Sequence, residues 1–293
     1  MSELPILSAI LLCPLVALVI TILLPESKAT AIKVVNALAG LVTLGLSLVV
    51  WFQYDKTAGG YQMVEDVPWV TDLGIRYTVA VDGISVVLTL LNAIVFFTGV
   101  LSMWTLQKRV KEFFAFMALL VFGVFGVFIS LDIAVLPMYP LIAIWGSTRK
   151  EYSAMKLTLF LMVGSALLFP GLIALFVESG GQTWNLVALS EPGTFSEGFQ
   201  IFVYPLLYIG FGILAGMWPF HSWSPIGHVA APTAVSMLHA GVLMKLGAFG
   251  ILRIAIGVLP LGAAYWAPTF AFAATVGIVY GAFVAFAQSD VKK

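Results

Sequence analysis

The stretch "HVAAPTAVSMLHAGVLMKLGAFG" (228–250) holds a lysine, Lys245, and a histidine, His239, among small and apolar residues, with no carboxylate anywhere in it. An ammonium group deep in an apolar span costs about 2.5–3.5 kcal/mol on insertion scales. Desolvation also lowers a lysine's affinity for its proton, toward a range where the proton is gained and lost during turnover. The chemistry open to Lys245 is therefore proton carriage, or else a structural salt bridge to another subunit. On an ideal α-helix His239 would lie about 9 Å from Lys245 along the axis and about 120° around it. The two are not one site: His239 is either a separate relay station reached through water or a hydrogen-bonding partner for a neighbouring helix. His221 and His228 flank Pro225 and either admit protons at the membrane surface or are hydrated interfacial residues. The three histidines have no tight metal-ligand spacing. Asp132, in "SLDIAVLPMY", and Lys156, in "YSAMKLTLFLMVGS", open two further apolar runs, where they serve as interface anchors or as proton-handling groups.

The elements that must position these residues follow from composition. Of 293 residues, 61% are hydrophobic and 10% charged, against about 25% charged in soluble domains, which predicts a membrane chain. A net charge of zero removes the electrostatic footing for nucleic-acid binding. The single cysteine, Cys13, excludes a disulfide framework or thiolate cluster within the sequence. No GxGxxG follows a strand pattern, so neither a nucleotide, a flavin nor an iron–sulfur site is expected here.

A hydrocarbon core of about 30 Å takes roughly 20 apolar residues per helix. Runs of that kind are Pro5–Leu24, Ala31–Phe52, Val81–Trp104, Phe113–Ser130, Ile133–Trp145, Ala154–Val177, Phe202–Trp218, Val229–Val258 and Tyr265–Phe286, predicting an all-α polytopic protein with about nine spans. The first lacks a basic leader and reads as a retained span. The fifth, Ile133–Trp145, is short, covering only about 20 Å. Lys28, Lys33, Lys108, Arg109, Lys111, Arg149, Lys150, Lys156, Lys292 and Lys293 follow odd-numbered spans, which places those ends in the cytoplasm and the N-terminus outside. The loop between the second and third spans alternates Val, Thr, Tyr and Trp around "LG", predicting a small outer-face hairpin. Asp82 opens the third span as a helix N-cap. Pro219, Pro225 and Pro232 predict a break near the cytoplasmic end of the seventh.

The block "WPFHSWSPIGHVAAPTAVSMLHAGVLMKLGAFGILR" (218–253), with "LPMYPLIAIWG" (136–146) and "VAVDGIS" (79–85), resembles the antiporter-like M-type chain (NuoM/NdhD family) of proton-translocating NADH:quinone oxidoreductase, respiratory complex I. The likeness covers nearly the whole chain. It implies a five-helix half-channel in helices 4–8, with a glutamate on the fifth helix and lysines on the seventh and eighth. The eighth-helix lysine falls on Lys245. The seventh-helix lysine position is Leu214, so that cation is absent and His239 compensates on this reading. The fifth-helix glutamate position counts back to Asp132, and the family carries more residues between "SLD" and that glutamate; a gap there would make Asp132 the loop aspartate before the span.

The resemblance thus implies residues 1–111 as three leading helices with the outer loop, 112–258 as the first five-helix unit and 259–293 as the start of a second, apparently truncated. It implies proton translocation centred on a buried lysine, Lys245, with His239 as a neighbouring relay and His221 and His228 as a cytoplasmic entry. Electron transfer would occur in partner subunits, with NADH, FMN, iron–sulfur clusters and quinone held there and no cofactor bound by this chain. L-, N- and K-type chains, the lipid bilayer and protons would be the partners, in a bacterial cytoplasmic membrane or an equivalent energy-transducing one. The rival functions are an Mrp-type cation/proton antiporter subunit and a non-pumping scaffold. The orientation is checked directly: in a Cys13→Ala background, Lys108→Cys should react with an impermeant thiol reagent only from the cytoplasmic side and Glu191→Cys only from the outside.

Overall fold

The computed structural model describes residues 5–70, 75–129, 150–181 and 184–288. Among the described residues eight helical segments are long and apolar enough to cross a membrane: Ile6–Leu23, Glu26–Gln53, Gly83–Ser102, Val110–Ile129, Glu151–Glu178, Glu197–Ala230, Thr233–Ile256 and Pro260–Phe286. The short span expected at Ile133–Trp145 lies outside the described residues, as do Asp132 and the "LPMYPLIAIWG" block. The chain divides into two compact units, one of Met1–Trp69, Arg76–Ser147 and Ala231–Val242, the other of Val70–Ile75, Thr148–Ala230 and Leu243–Lys293.

In the first unit, α1 (Ile6–Leu23) and α2 (Ala29–Gln53) lead into a two-stranded sheet of β1 (Gln62–Val70) and β2 (Ile75–Val81), the hairpin that the alternating pattern predicts. The loop before it is held by Asp55, whose carboxylate accepts from the Thr57 hydroxyl at 2.6 Å and from the amides of Thr57 and Ala58. These bonds, the hydroxyl's first, hold the carboxyl below the usual carboxylate range. Helix α1 has no side-chain cap from its own N-cap residue, Pro5. Glu65 on β1 supplies it instead, accepting from the amides of Leu7 and Ser8 at 2.8 and 3.1 Å and from the Ser8 hydroxyl. A carboxylate there meets both the unpaired amides and the positive end of the helix dipole.

Helix α3 (Gly83–Ser102) begins in a reciprocal cap: Asp82 accepts from the Ser85 amide at 2.9 Å, and the Asp82 amide donates to the Ser85 hydroxyl at 2.7 Å. Gly40 on α2 lets that helix approach α3 so closely that a Cβ there would stand 3.0 Å from the α-carbon of Phe97. At the far end of α3, Lys33 donates to the carbonyls of Trp104 and Leu106 at 2.6 and 2.8 Å, placing its cation on the negative end of a helix. Helix α4 (Val110–Ile129) brings buried Phe113, Phe114, Phe125 and Phe128 to this unit.

The second unit holds α5 (Lys150–Glu178), a single turn α6 (Leu186–Leu189), α7 (Glu197–Ala215), α8 (Trp223–Ala230), α10 (Met244–Gly250) and α11 (Pro260–Phe286); α9 (Thr233–Leu238) belongs to the first. Helices α5 and α7 meet at small residues, as membrane helices do when no hydrophobic drive separates them from lipid: a Cβ on Gly210 would stand 3.0 Å from the Gly164 carbonyl and 2.6 Å from Leu168 Cγ.

The predicted break lies between α7 and α8. Gly216 takes the left-handed conformation (φ 72°), and the Gly216 and Met217 amides return to the carbonyls of Ile213 and Gly212 at 3.1 and 2.8 Å, the double bond of a Schellman motif. A 3-10 turn at Phe220–Ser222 precedes α8. Pro225 falls in the first turn of α8, where its missing amide is tolerated, and Pro232 stands at the N-cap of α9. The three prolines sit where the backbone has no helical amide to lose.

Replacing Asp82 by alanine should cost about 1 kcal/mol of stability and Asp82→Asn should cost little, as read by the melting temperature of the purified protein in detergent. A charge-dependent role would show in Asp82→Asn as well.

Candidate functional site

Lys245 is carried on α10, in a stretch whose helical path, Thr233–Ile256, is membrane-length and places the lysine near its middle. That path is not uniform. The backbone widens to π-helix at His239–Leu243, returns to α over Met244–Gly250 and widens again at Ile251–Ile256. The ideal-helix spacing expected between His239 and Lys245 therefore does not hold, because the turns between them are not α. Wide turns of this kind concentrate at functional sites.

What fixes α10 is close backbone approach. A Cβ on Gly247 would stand 2.4 Å from the Ala215 amide nitrogen and 2.5 Å from the Phe211 carbonyl oxygen, and one on Gly250 would stand 2.4 Å from the Phe211 ring. Helix α7 thus lies directly against α10 two residues past the lysine, just before its Gly216 break. Met244, the residue before Lys245, reaches the other way: its sulfur lies 3.5 Å from the Ser224 hydroxyl and 3.4 Å from His228 Nε2. The Trp223 indole donates to the Ile213 carbonyl at 3.1 Å, so the end of α7, the start of α8 and the lysine's helix are locked by a few named contacts.

The residues singled out from the sequence occupy different surroundings. Lys245 is exposed in this structure of the chain alone. Its neighbours Leu246 and Gly247 are buried. His239 is buried at 1% exposure and falls in the first unit, whereas Lys245 falls in the second. His228 is half-buried and joined to Met244. His221 is half-buried, with its ring edge-on to Tyr280 at 5.1 Å. Lys156 is half-buried early in α5, and Leu214, where the family resemblance places a second lysine, is half-buried near the end of α7. Asp132 lies outside the described residues. Among the described residues no three of His, Cys, Asp and Glu converge on a metal-sized site.

Sequence reading missed two features. One is the pair of π turns, for which Gly241 and Gly257 are at most a weak signal. The other is a buried amide on α3, Asn92, hidden by its apolar neighbours.

Residues 122–293 match the family model described as NADH:quinone oxidoreductase/Mrp antiporter, TM. The chain belongs to this family. It is similar to the NAD(P)H-quinone oxidoreductase chain 4 3 of Picosynechococcus sp., 34% identical across 99% of this chain and 55% of that one. The corresponding chain 4 2 of Microcystis aeruginosa is 33% identical over 100% of this chain and 55% of its own length. The chain spans about half the length of the curated relatives it matches. The fold is shared with a chain of respiratory complex I from Thermus thermophilus, at TM-score 0.84 and 24% identity over 98% of this chain and 60% of that one. It is shared equally with a chain of the membrane-bound sulfane sulfur reductase, an archaeal respiratory membrane complex, at TM-score 0.85 and 17% identity over 99% of this chain and 61% of that one. The sequence pattern predicts a mostly helical, multi-spanning chain and the motif resemblance implies an M-type chain of the complex I family; these likenesses bear both out.

Gly247→Ala should force α7 and α10 apart and destabilise the chain by about 1–3 kcal/mol, lowering the melting temperature and the yield of assembled complex. Gly45→Ala, at a helix position with nothing within 4 Å of the added methyl, should be neutral in the same assay.

Proposed function

We propose that this chain is a proton-translocating membrane subunit of a complex-I-like NADH:quinone oxidoreductase, moving protons while electron transfer takes place in partner subunits. The observation that carries the reading is Lys245, a lysine midway along a membrane-length helical path with π turns on both sides, inside the segment matched to the antiporter family. The relatives' printed names supply the oxidoreductase context.

In this reading Lys245 carries the proton, His239 is a neighbouring relay, and His221 and His228 form the cytoplasmic entry near the α7–α8 break. Lys156 and Asp132 are charged residues at the margins of that path. A charge facing lipid is the costliest arrangement, so in this reading the head group of Lys245, exposed in the structure of the chain alone, stands in a hydrated or ion-paired setting within the assembly. Such cover keeps the ammonium hydrated or paired while leaving its proton exchangeable. The partners are the L-, N- and K-type chains of a membrane arm. The N-terminus lies outside a bacterial cytoplasmic membrane or its equivalent, and redox cofactors reside in other subunits.

The same exposure favours a second reading, in which Lys245 makes a structural ion pair to another subunit and the chain is a scaffold. Two substitutions separate them. Lys245→Ala should leave an assembled complex whose NADH-driven proton uptake in membrane vesicles and coupled oxidation fall together. Lys245→Arg keeps the charge but holds its proton, since a guanidinium does not release it. It should assemble normally and still fail to pump. Restored pumping in Lys245→Arg, or loss of assembly in Lys245→Ala with rescue by arginine, would establish the ion pair instead.

A further inference from the structure

The two histidines assigned above to the entry are held in different ways. His228 lies on α8, and its Nε2 stands 3.4 Å from the Met244 sulfur, so α10 fixes its ring. His221 sits in the three-residue 3-10 turn Phe220–Ser222 that carries the chain round the break. A turn that short leaves its side chains to be placed by whatever packs against them. An imidazole that relays protons is ordinarily turned and held by a carboxylate or carbonyl on one nitrogen, which leaves the other to exchange. His221 is half-buried, and among the described residues its buried Nδ1 has no such acceptor.

The structure gives the ring a different neighbour, Tyr280 of α11. The imidazole and phenol centroids lie 5.1 Å apart with their planes at 67°, within the range of about 4.5–7 Å in which edge-to-face aromatic pairs attract. The way α11 approaches the break accounts for this contact. A Cβ on Gly277 would stand 3.2 Å from Trp218 Cβ, so the helix comes in where a side chain is missing. Tyr280 follows three residues later, on the same side of the helix, and meets His221 across from it. Tyr280 is 43% exposed and Gly262 is the buried residue of α11. The phenol ring is therefore no part of the apolar core of this unit, and its contact with the imidazole is not a by-product of core packing.

We propose that Tyr280 is a positioning residue for His221: its ring holds the imidazole edge-on at the α7–α8 break, with Nδ1 inward and Nε2 left to exchange protons. The contact is between rings, so phenylalanine can make it and an aliphatic side chain cannot. Tyr280 handles no proton itself and acts only through the ring it holds. This inference rests on the proton-translocating reading above, in which His221 belongs to the entry.

NADH-driven proton uptake by vesicles carrying the assembled complex tests it. Tyr280→Leu should lose most of the uptake that His221→Ala loses, and Tyr280→Phe should recover most of it. Tyr280→Leu added to His221→Ala should lower uptake no further. A tyrosine that merely supports α11 would lower uptake in the His221→Ala background too, and that result overturns the proposal. Wild-type uptake in Tyr280→Leu beside an impaired His221→Ala overturns it as well, as does a Tyr280→Phe no better than Tyr280→Leu. Wild-type uptake in His221→Ala removes His221 from the entry and takes the positioning role with it, whereas the translocation reading itself stands or falls on Lys245→Ala in the same vesicles. Should Tyr280→Leu fail to assemble, or His221→Ala leave no uptake to measure, a high-resolution map of the wild-type complex decides. An imidazole seated on Tyr280 in one rotamer upholds the proposal; one turned away from it, or spread over several rotamers, overturns it.

Discussion

Inside a bilayer no water is available to a backbone amide or carbonyl, and the chain must satisfy each one from its own atoms. The break between α7 and α8 shows how that constraint is met. Gly216 reverses the helix, the Gly216 and Met217 amides close the last turn, and the Trp223 indole takes the Ile213 carbonyl. The irregular segment can then exist at the membrane because these backbone groups are already occupied. A run of prolines alone would have produced an unstable gap; the glycine and the tryptophan turn it into a fixed corner against which α10 is laid.

The same corner sets the position of Lys245. Gly247 and Gly250 remove the side chains that would hold α10 away from α7, and van der Waals contact replaces the hydrophobic drive that lipid cannot supply. Met244 fills the space toward Ser224 and His228. Fixing one side of α10 so closely leaves the lysine on the exposed side of the helix.

The first unit follows a different pattern. Several of its charged residues stand at helix ends: Glu65 at the start of α1, Asp82 at the start of α3 and Lys33 at the carbonyls that follow α3. Each lies where a helix dipole and unpaired backbone groups offset the desolvation of a charge. Its interior keeps neutral polar groups instead, several of them returned to the preceding turn. Ser47, Thr89 and Asn92 are buried with side-chain polar atoms that meet no partner among the described residues.

The membrane class, most of the spans, the outer hairpin, the Asp82 cap and the broken helix were legible in the sequence, because run length, alternation, capping residues and proline are local signals. The quoted motifs around Lys245 also pointed to the family, since a lysine in an apolar run is rare enough to mark a function. Burial was not legible. Whether Lys245 faces its own chain depends on which side of α10 the glycines dock, and whether Asn92 finds a partner depends on what the neighbouring helices bring across from it. The wide turns at His239–Leu243 and Ile251–Ile256 were equally hidden, because nothing in a run of Ala, Gly, Val and Leu separates a π turn from an α turn. Those outcomes belong to the tertiary structure, which alone sets the helices against one another.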